Sequence, residues 1–445
     1  MRIVIAGAGS VGTHLAKLLS SENHDIVLMD SDKDKLNFSR NNLEMMTMVG
    51  SPTSLKDLEE VDLNKTDLFI GVTPEESVNI TACMLAARMG AKKTFARIDN
   101  YEYLLPKNKE FFESLGIHAM VYPEMLAAKE IVSALNKPWV RFWTELCGGS
   151  IILLGVKIRN NSVLTNKYLY DLGEDQKKYH IVAIKRENNT IIPNGKTQIL
   201  SEDILFFCTT KEYVDEIPSL TGKENFKVKD IMIMGGSRIA IRTSQYLPDD
   251  MDIKLLEADK DKSYKLVEKL PKNVTVYNDD GRNTDFLLEE GIIDMDAFIA
   301  VTGNSEANIL ACMAAKQFGV RKTVAEVENT DYIAMAEKLG IGTIINKRLI
   351  TVNNIYRFLL NADVSNIKSL TFANADVAEI VARPNSLVTK KEVKKLNFPL
   401  NATLGGLIRN GEAMLIDGDT QIEAYDHVVV FCLDDALRSI QRFFN

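Results

Sequence analysis

The sequence predicts an α/β protein in which a doubly wound parallel-sheet domain and a small α+β domain each occur twice, in tandem. Three observations carry this. Residues Phe69 to Tyr101 align without a gap on Phe298 to Thr330, sharing FI, VT, an Asn, ACM and KT. A repeat of that length marks a duplicated structural unit. Short apolar runs alternate with amphipathic stretches through the first part of each copy, the pattern of βα units whose parallel strands are buried on both faces. A Gly-rich turn joins the first such run to the first amphipathic stretch.

In chain order, the strand candidates of the first copy are IVIA (Ile3 to Ala6), DIVLM (Asp25 to Met29), MMTMV (Met45 to Val49), LFIGV (Leu68 to Val72), TFARI (Thr94 to Ile98) and AMVY (Ala119 to Tyr122). Helical patterns between them stop at Gly90 and Gly116, placed as C-terminal caps. These elements form a Rossmann-type domain over residues 1–122. PEMLAAKEIVSALNKP (Pro123 to Pro138) begins with Pro at a plausible first helical position and stops before another, so it reads as a connecting helix. Short β-rich runs with the turn signals NNS, ENN and PNG follow, then ILFFC at Ile204 to Cys208, and complete a small α+β domain over 123–222. The polar stretch TGKENFKVKD (Thr221 to Asp230) reads as a linker.

The scheme then repeats. IVIAGAGSVG (Ile3 to Gly12) is answered by IMIMGGSRIA (Ile231 to Ala240), and DIVLMDSDKDK (Asp25 to Lys35) by DIKLLEADKDK (Asp252 to Lys262). The strand, turn and strand pattern of Tyr179 to Ile199 returns at Asn401 to Ile422, with TQI shared. A second Rossmann-type domain is therefore expected over 228–346, and a second connecting helix and small α+β domain over 347–445. Each half reads as a complete unit.

With 46% hydrophobic residues and 11 Pro, the chain is expected to fold throughout. Its net charge of −8 argues against nucleic acid and against an anionic membrane surface, both of which need a basic footprint. The longest apolar runs, such as IILLGV (Ile151 to Val156), fall far short of the roughly 20 residues of a membrane helix, so no direct insertion is expected. The chain opens on a strand, leaving no room for a signal peptide, and five dispersed cysteines without a CxxC pair read as reduced thiols of the cytoplasm. Cys83 and Cys312 occupy equivalent places in Ala- and Met-rich helices, where cysteine serves as a small apolar residue. The five histidines are scattered with no metal spacing, and no acid/base constellation is visible, so neither a metal site nor catalytic residues are expected.

The chemistry sits at the Gly-rich turn. Gly7, Gly9 and Gly12 form GxGxxG after a strand and at the mouth of a helix, and Asp30 closes the second strand. Gly7 permits the tight turn, Gly9 lets the backbone approach a pyrophosphate, and Gly12 lets helix and strand pack closely. The helix N-terminus offers free N–H groups, and Asp30 would accept from ribose hydroxyls. Its charge repels a 2′-phosphate, favouring NAD(H) or an adenine nucleotide over NADP(H). In the second copy Gly235 stands, Gly236 replaces Ala8, Ser237 stands for Gly9, Ala240 for Gly12 and Glu257 for Asp30. This turn reads either as a weaker site or as a vestigial one. Thr73 and Thr302 follow the fourth strands, at the carboxyl edge where such sheets bind ligands. Pro74, Glu75 and Glu76 begin the next helix, as do Gly303, Asn304 and Ser305. Arg97 ends the fifth strand, placed to reach a phosphate or to form an edge salt bridge. Its counterpart is Glu326.

Two tandem units with the IAGAGSVG opening, the IGVTPEE and IAVTGNSEAN segments, the paired AIKR and LIRN strands and the IIPNG turn resemble the TrkA family. These are peripheral regulatory subunits of Trk potassium uptake, built from two regulator-of-potassium-conductance repeats, and the resemblance covers essentially the whole chain. It implies NAD(H) or ATP/ADP as ligand, with Gly7, Ala8, Gly9, Ser10, Val11, Gly12, Asp30, Thr73, Pro74 and Arg97 around the first nucleotide. By the same carry-over Gly235, Gly236, Ser237, Arg238, Ile239, Glu257, Asp280, Thr302 and Gly303 would line a second site. Ser51 in GSPT and the NDDG stretch (Asn278 to Gly281) depart from the family pattern after the third strands. The resemblance further implies a membrane potassium-transporting partner, a place at the inner face of the cell membrane and a non-enzymatic role. A homo-oligomer, as a tetramer, is expected through the apolar faces of Pro123 to Leu135 and Leu349 to Leu360. The competing readings are a duplicated NAD-dependent oxidoreductase and a regulator of another transporter.

Overall fold

The computed structural model describes residues 1–20, 24–40, 45–187, 189–359, 364–370, 373, 375–433 and 436–445. Its contacts define two compact units that do not follow the two halves of the sequence. One comprises Met1–Lys129 with Ser237–Tyr246 and Ile345–Tyr356; the other comprises Glu130–Gly236, Leu247–Ile344 and Arg357–Asn445.

The first unit is built on strands β1 (Arg2–Ala6), β2 (Asp25–Asp30), β3 (Met46–Val49), β4 (Leu68–Gly71), β5 (Lys93–Arg97) and β6 (Ala119–Val121), in the order β3-β2-β1-β4-β5-β6. All pairs are parallel. The order reverses between β1 and β4, the switch point at which open α/β sheets bind ligands. Helices α1 (Ser10–Ser20), α2 (Lys33–Arg40), α3 (Leu55–Glu60), α4 (Glu76–Arg88) and α5 (Pro106–Ser114) make the connections, and α6 (Pro123–Asn136) leaves the sheet. Val4, Val27, Phe69, Cys83 and Ala96 are among the residues of one continuous core. The Cys83 thiol donates to Phe95 O at 3.4 Å, and burial pushes it up to about 12, as expected of a core cysteine. Gly90 and Gly116 lie past the ends of α4 and α5 at φ of +112° and +87°, the left-handed region that stops a helix.

In the second unit, β7 (Phe142–Leu146), β8 (Ile151–Lys157), β9 (Tyr179–Arg186), β10 (Asn189–Ile191) and β11 (Ile204–Thr210) form an antiparallel sheet ordered β10-β9-β11-β8-β7, closed by α7 (Ile217–Thr221). The second parallel set is β12 (Asp230–Met234), α8 (Arg238–Tyr246, which belongs to the first unit), β13 (Asp252–Leu256), α9 (Lys260–Val267), β14 (Val274–Tyr277), α10 (Thr284–Glu289), β15 (Ala297–Ala300), α11 (Ser305–Gln317), β16 (Lys322–Glu326), α12 (Ile333–Lys338) and β17 (Thr343–Ile345). Its order, β14-β13-β12-β15-β16-β17, repeats that of the first sheet. After α13 (Lys347–Leu359) come β18 (Val364–Leu370), β19 (Ala375–Val381), β20 (Ala402–Arg409), β21 (Glu412–Leu415), β22 (His427–Leu433) and α14 (Leu437–Phe444), ordered β18-β19-β22-β20-β21. Matching these strands one for one with β7, β8, β11, β9 and β10 gives the same topology twice.

The two antiparallel sheets share a core. Phe206 and Phe431 approach with ring centroids 5.5 Å apart among Leu153, Cys208, Val377 and Val429. A Cβ on Gly405 would lie 2.9 Å from Cys208 Sγ, so the approach requires glycine there. Each small sheet also anchors an Arg–Asp pair at the same place: Arg186 on Asp203 at 2.8 Å and Arg409 on Asp426 at 2.6 Å.

The stretch read as a linker packs on the chain: Val228 is buried, Lys229 N donates to Asp296, and the Arg321 guanidinium lies over the Phe226 ring at 3.7 Å. One expectation is corrected. Helices α4 and α11 begin at Glu76 and Ser305, so Pro74 and Gly303 precede their N-caps Glu75 and Asn304. On the connecting helices Ala127, Ala128, Ile131, Leu135, Val352 and Ile355 are buried within the chain, while Met125, Leu126, Val132 and Ile350 stay partly exposed. Leu360 and Asn188 of the ENN turn lie outside the described residues.

Candidate functional site

The first Gly-rich turn is shaped by contacts that leave one side of it open. Gly7 has φ +115°, and a Cβ there would stand 2.9 Å from Thr73 N, so β1 and the segment after β4 meet only over glycine. Gly12 is more constrained: its Cβ would lie 1.8 Å from Gly7 O. At Gly9 a Cβ would meet nothing within 4 Å. Gly7 and Gly12 therefore serve packing, while Gly9 borders space. Thr13 N donates to Gly9 O at 2.9 Å, the start of the α1 ladder. The N–H groups before it lack intrahelical partners and, with Ser10 and Val11 in the first turn, make an anion-favouring helix end.

Asp30, 7% exposed at the end of β2, does more than the sequence predicts. Its Oδ2 accepts from Ala8 N at 2.7 Å and its Oδ1 from Asp32 N at 2.9 Å. The carboxylate thus holds the turn from below, and each oxygen keeps further acceptor capacity.

Sequence reasoning missed the residue that joins the rest of the site. Asn79, buried in α4, accepts on Oδ1 from Thr73 N and Thr73 Oγ1, both at 2.8 Å, and donates from Nδ2 to Thr73 O at 3.0 Å and Arg97 O at 2.9 Å. It pins the ends of β4 and β5 together. The signal was present, because Asn79 is the polar letter shared with Asn308 on the helix that follows the fourth strand of each copy. Glu76 was also missed as a site residue: its Oε2 accepts from Asp99 N and Asn100 N at 2.5 and 2.6 Å and shapes the loop after β5. Arg97 stands 3.8 Å from the Asp99 carboxylate, and its buried Nε has no hydrogen-bond partner among the described residues. Asp99 is engaged more closely by Arg238, at 3.0 Å. Pro74 is exposed beside these groups in sequence.

The second-copy residues are divided between the compact units. Gly235, Gly236, Glu257, Asp280, Thr302 and Gly303 lie in one, and Ser237, Arg238 and Ile239 in the other. Within the former, Glu257 Oε2 accepts from Gly236 N at 2.9 Å and Oε1 from Asp259 N at 3.0 Å, repeating the work of Asp30. Asn308 likewise bonds Thr302 and Glu326 O. Asp280 is clasped by Arg282 at 2.6 Å. Gly303 borders open space. Within the other unit, Ser237 Oγ accepts from Ala240 N at 3.3 Å. It caps α8 with its own hydroxyl, taking an N–H that a phosphate would otherwise use. Ile239 is buried.

No helix among the described residues is long and apolar enough to cross a membrane, and no cluster of His, Cys, Asp and Glu there could hold a metal. Paired doubly wound sheets, each with an antiparallel companion and a Gly-rich first turn, define a tandem Rossmann-type domain protein. The chain belongs to the TrkA family: the TrkA-N domain matches residues 3–123 and 231–347, and the TrkA-C domain residues 153–222 and 377–445. It is 29% identical to the Trk system potassium uptake protein TrkA homolog 2 of Methanosarcina mazei, over 100% of both chains. It is also 29% identical to the Trk system potassium uptake protein TrkA of Haemophilus influenzae, over 98% of this chain and 96% of that one. Among solved structures it resembles the GsuK RCK domain, with TM-score 0.62 and 15% identity over 100% of this chain and 94% of that one. The GsuK channel bound to NAD is similar, with TM-score 0.62 and 14% identity over 100% and 78%. At these identities the likeness is one of fold.

Proposed function

We propose that this chain is a nucleotide-responsive regulatory subunit of a potassium uptake system, acting at the inner face of the membrane through a membrane protein partner. Membership of the TrkA family supports the system. The observation that supports the ligand is the first turn, where an open Gly9, an unladdered α1 N-terminus and a buried Asp30 lie at the switch point of the sheet.

The residues fit an adenine nucleotide. The N–H groups of Gly9 to Val11 would take the pyrophosphate, the remaining acceptor capacity of Asp30 the ribose hydroxyls, and the Arg97 guanidinium a phosphate oxygen; Thr73 and Pro74 border the same edge. NAD(H) here would act through occupancy. A ligand shifts a regulator only by its differential affinity for two states, commonly about 1–3 kcal/mol. The site residues of the second copy are proposed as a weaker counterpart, because Ser237 spends a helix N–H and Glu326 replaces Arg97. A homo-oligomer, a tetramer in the family's manner, would associate through the apolar residues that α6 and α13 leave partly exposed, Met125, Leu126, Val132 and Ile350. The proposed domains of the chain are 1–122, 123–222, 228–346 and 347–445.

The test is calorimetric titration of NAD, NADH, ATP and ADP into the chain and into Asp30→Asn, which keeps an acceptor for Ala8 N but removes the charge. Loss of hydrogen bonds to a charged acceptor costs about 1.5–3 kcal/mol, roughly ten- to hundredfold in affinity. Unchanged affinity for every nucleotide removes Asp30 from the site. Potassium flux through a reconstituted transporter, with and without this chain as nucleotide is varied, tests the regulatory role; flux indifferent to both sinks it. Sustained oxidation of a hydroxy acid, aldehyde or amino acid by the chain with NAD would establish the oxidoreductase reading instead.

A further inference from the structure

A group of cations gathers around the end of β8, far in sequence from either Gly-rich turn and wholly within the second unit. Arg141 enters it just before β7, its N bonded to Gly155 O at 2.8 Å. Lys157 ends β8 and Arg159 follows, its N bonded to Thr221 O at 3.3 Å. That bond sets Arg159 beside the end of α7, where Gly222 at φ +71° turns the chain into Lys223. Lys316, near the end of α11, donates to Gly340 O at 2.6 Å, and Arg141 Nη1 donates to the next carbonyl, Ile341 O, at 2.8 Å. Two consecutive carbonyls thus bring Arg141 and Lys316 together.

The cluster is undercompensated. Five cations face two carboxylates among the described residues, and both are engaged: Glu202 with Lys157 at 2.5 Å, and Glu337 with Lys185 at 2.8 Å. Among the described residues no ion pair reaches Arg159, Lys223 or Lys316. Burial and the charges of Arg159, Arg141 and Lys157 push Lys223 down to about 7, with Glu202 opposing. Arg141 and Lys316 are also held below their ordinary values by burial; Glu337 and Glu202 oppose this at Arg141. Behind them lies Lys322, buried on Pro138 O and Val140 O. Arg159 and Lys316 are exposed and Arg141, Lys157 and Lys223 half-buried, so the charges are reachable from solvent.

Like charges crowded at reduced solvation cost stability unless an anion joins them. We propose that Arg141, Lys157, Arg159, Lys223 and Lys316 form an anion site that takes the phosphate chain of a small polyphosphate compound. The unspent charge matches a multiply charged group better than a single carboxylate, and guanidinium forks beside ammonium point charges suit phosphate oxygens. The group is compact on a chain of net charge −8, which disfavours the extended backbone of a nucleic acid. The site joins the first small domain to the second parallel sheet.

The probe is inorganic tripolyphosphate, titrated calorimetrically into the full chain near neutral pH in two buffers of different ionisation enthalpy. A class of binding with proton uptake is expected, separate from any at the Gly9 turn, because Lys223 recovers its proton beside the anion. Lys223→Gln combined with Arg159→Gln should weaken it at least tenfold, Lys223→Arg should retain it, and Asp30→Asn should leave it unchanged; circular dichroism confirms that each variant is folded. With ATP as titrant, a class of bound nucleotide lost in the double variant identifies a nucleotide tail as the source, and binding of tripolyphosphate alone identifies free polyphosphate. No binding, binding indifferent to the folded double variant, or loss in Asp30→Asn would overturn the site.

Discussion

At the scale of single residues, Asn79 shows how much of the site rests on one amide. Four hydrogen bonds converge on a side chain 1% exposed, and removing it strands Thr73 N and Arg97 O. Each buried group left unpaired costs about 1–3 kcal/mol. Asn79→Ala is therefore expected to lower stability by about 2–4 kcal/mol, measured as a shift in denaturant midpoint, and to weaken nucleotide binding through the displaced strand ends. An unmoved midpoint would show that the network contributes nothing. Asp30 carries the same lesson. Its position and charge are visible in the sequence, but its bond to Ala8 N is not, because that contact depends on how closely β1 and β2 bring the turn to the carboxylate.

At the scale of elements, the end of α6 meets a buried cation. Lys322 Nζ donates to Pro138 O at 3.2 Å and Val140 O at 3.4 Å, just past the helix. Such carbonyls carry partial negative charge. Even so, burial, with Arg141 and Lys223 nearby, pushes Lys322 down to about 7. In the unfolded chain it titrates near its ordinary value, so between about pH 7 and about pH 10 the unfolded chain holds more protons, and this residue's contribution to stability rises with pH. Below about pH 7 both states are charged and the full burial cost remains. Lys322→Met should accordingly raise the melting temperature, relative to the parent, by more at about pH 6 than at about pH 9. A difference constant across that range would refute the assignment. The cap of α8 makes a second element-scale case: Ser237→Gly should cost only a few tenths of a kcal/mol while freeing an N–H, so any nucleotide-induced rise in melting temperature should grow. No change would leave the serine without influence on binding.

At the scale of the whole molecule, the duplication in sequence is not a division in space. Leu153, Phe206 and Cys208 share a core with Val377, Val429 and Phe431 from the other half, and the segment Ser237–Tyr246 clusters with Met1–Lys129. Cutting the chain after Gly222 would expose both faces of that shared core. Residues 1–222 and 223–445 expressed separately are expected to aggregate or to lack fixed near-ultraviolet dichroism, and to regain both solubility and dichroism when coexpressed. Two monomeric halves, each melting cooperatively, would contradict this.

The sequence by itself determined the two parallel sheets, the strands of the first to within a residue or two, the helix-ending glycines and the Gly-rich turn with its acidic partner. These follow from local periodicity, backbone sterics and turn chemistry, all carried by neighbouring residues. It also determined which residues repeat, and therefore that Asn79 and Asn308 stand in equivalent places. Only the tertiary structure decided that those amides tie strand ends together, that Ala127, Ala128, Ile131, Val352 and Ile355 are buried within the chain, and that Arg321 lies over Phe226 in the linker. The gathering of Arg141, Lys157, Arg159, Lys223 and Lys316 was invisible for the same reason. Hydrophobic pattern specifies that a residue is buried or exposed, but the partner across a sheet or between sheets is chosen by packing over long sequence separations, and charge proximity follows from that choice.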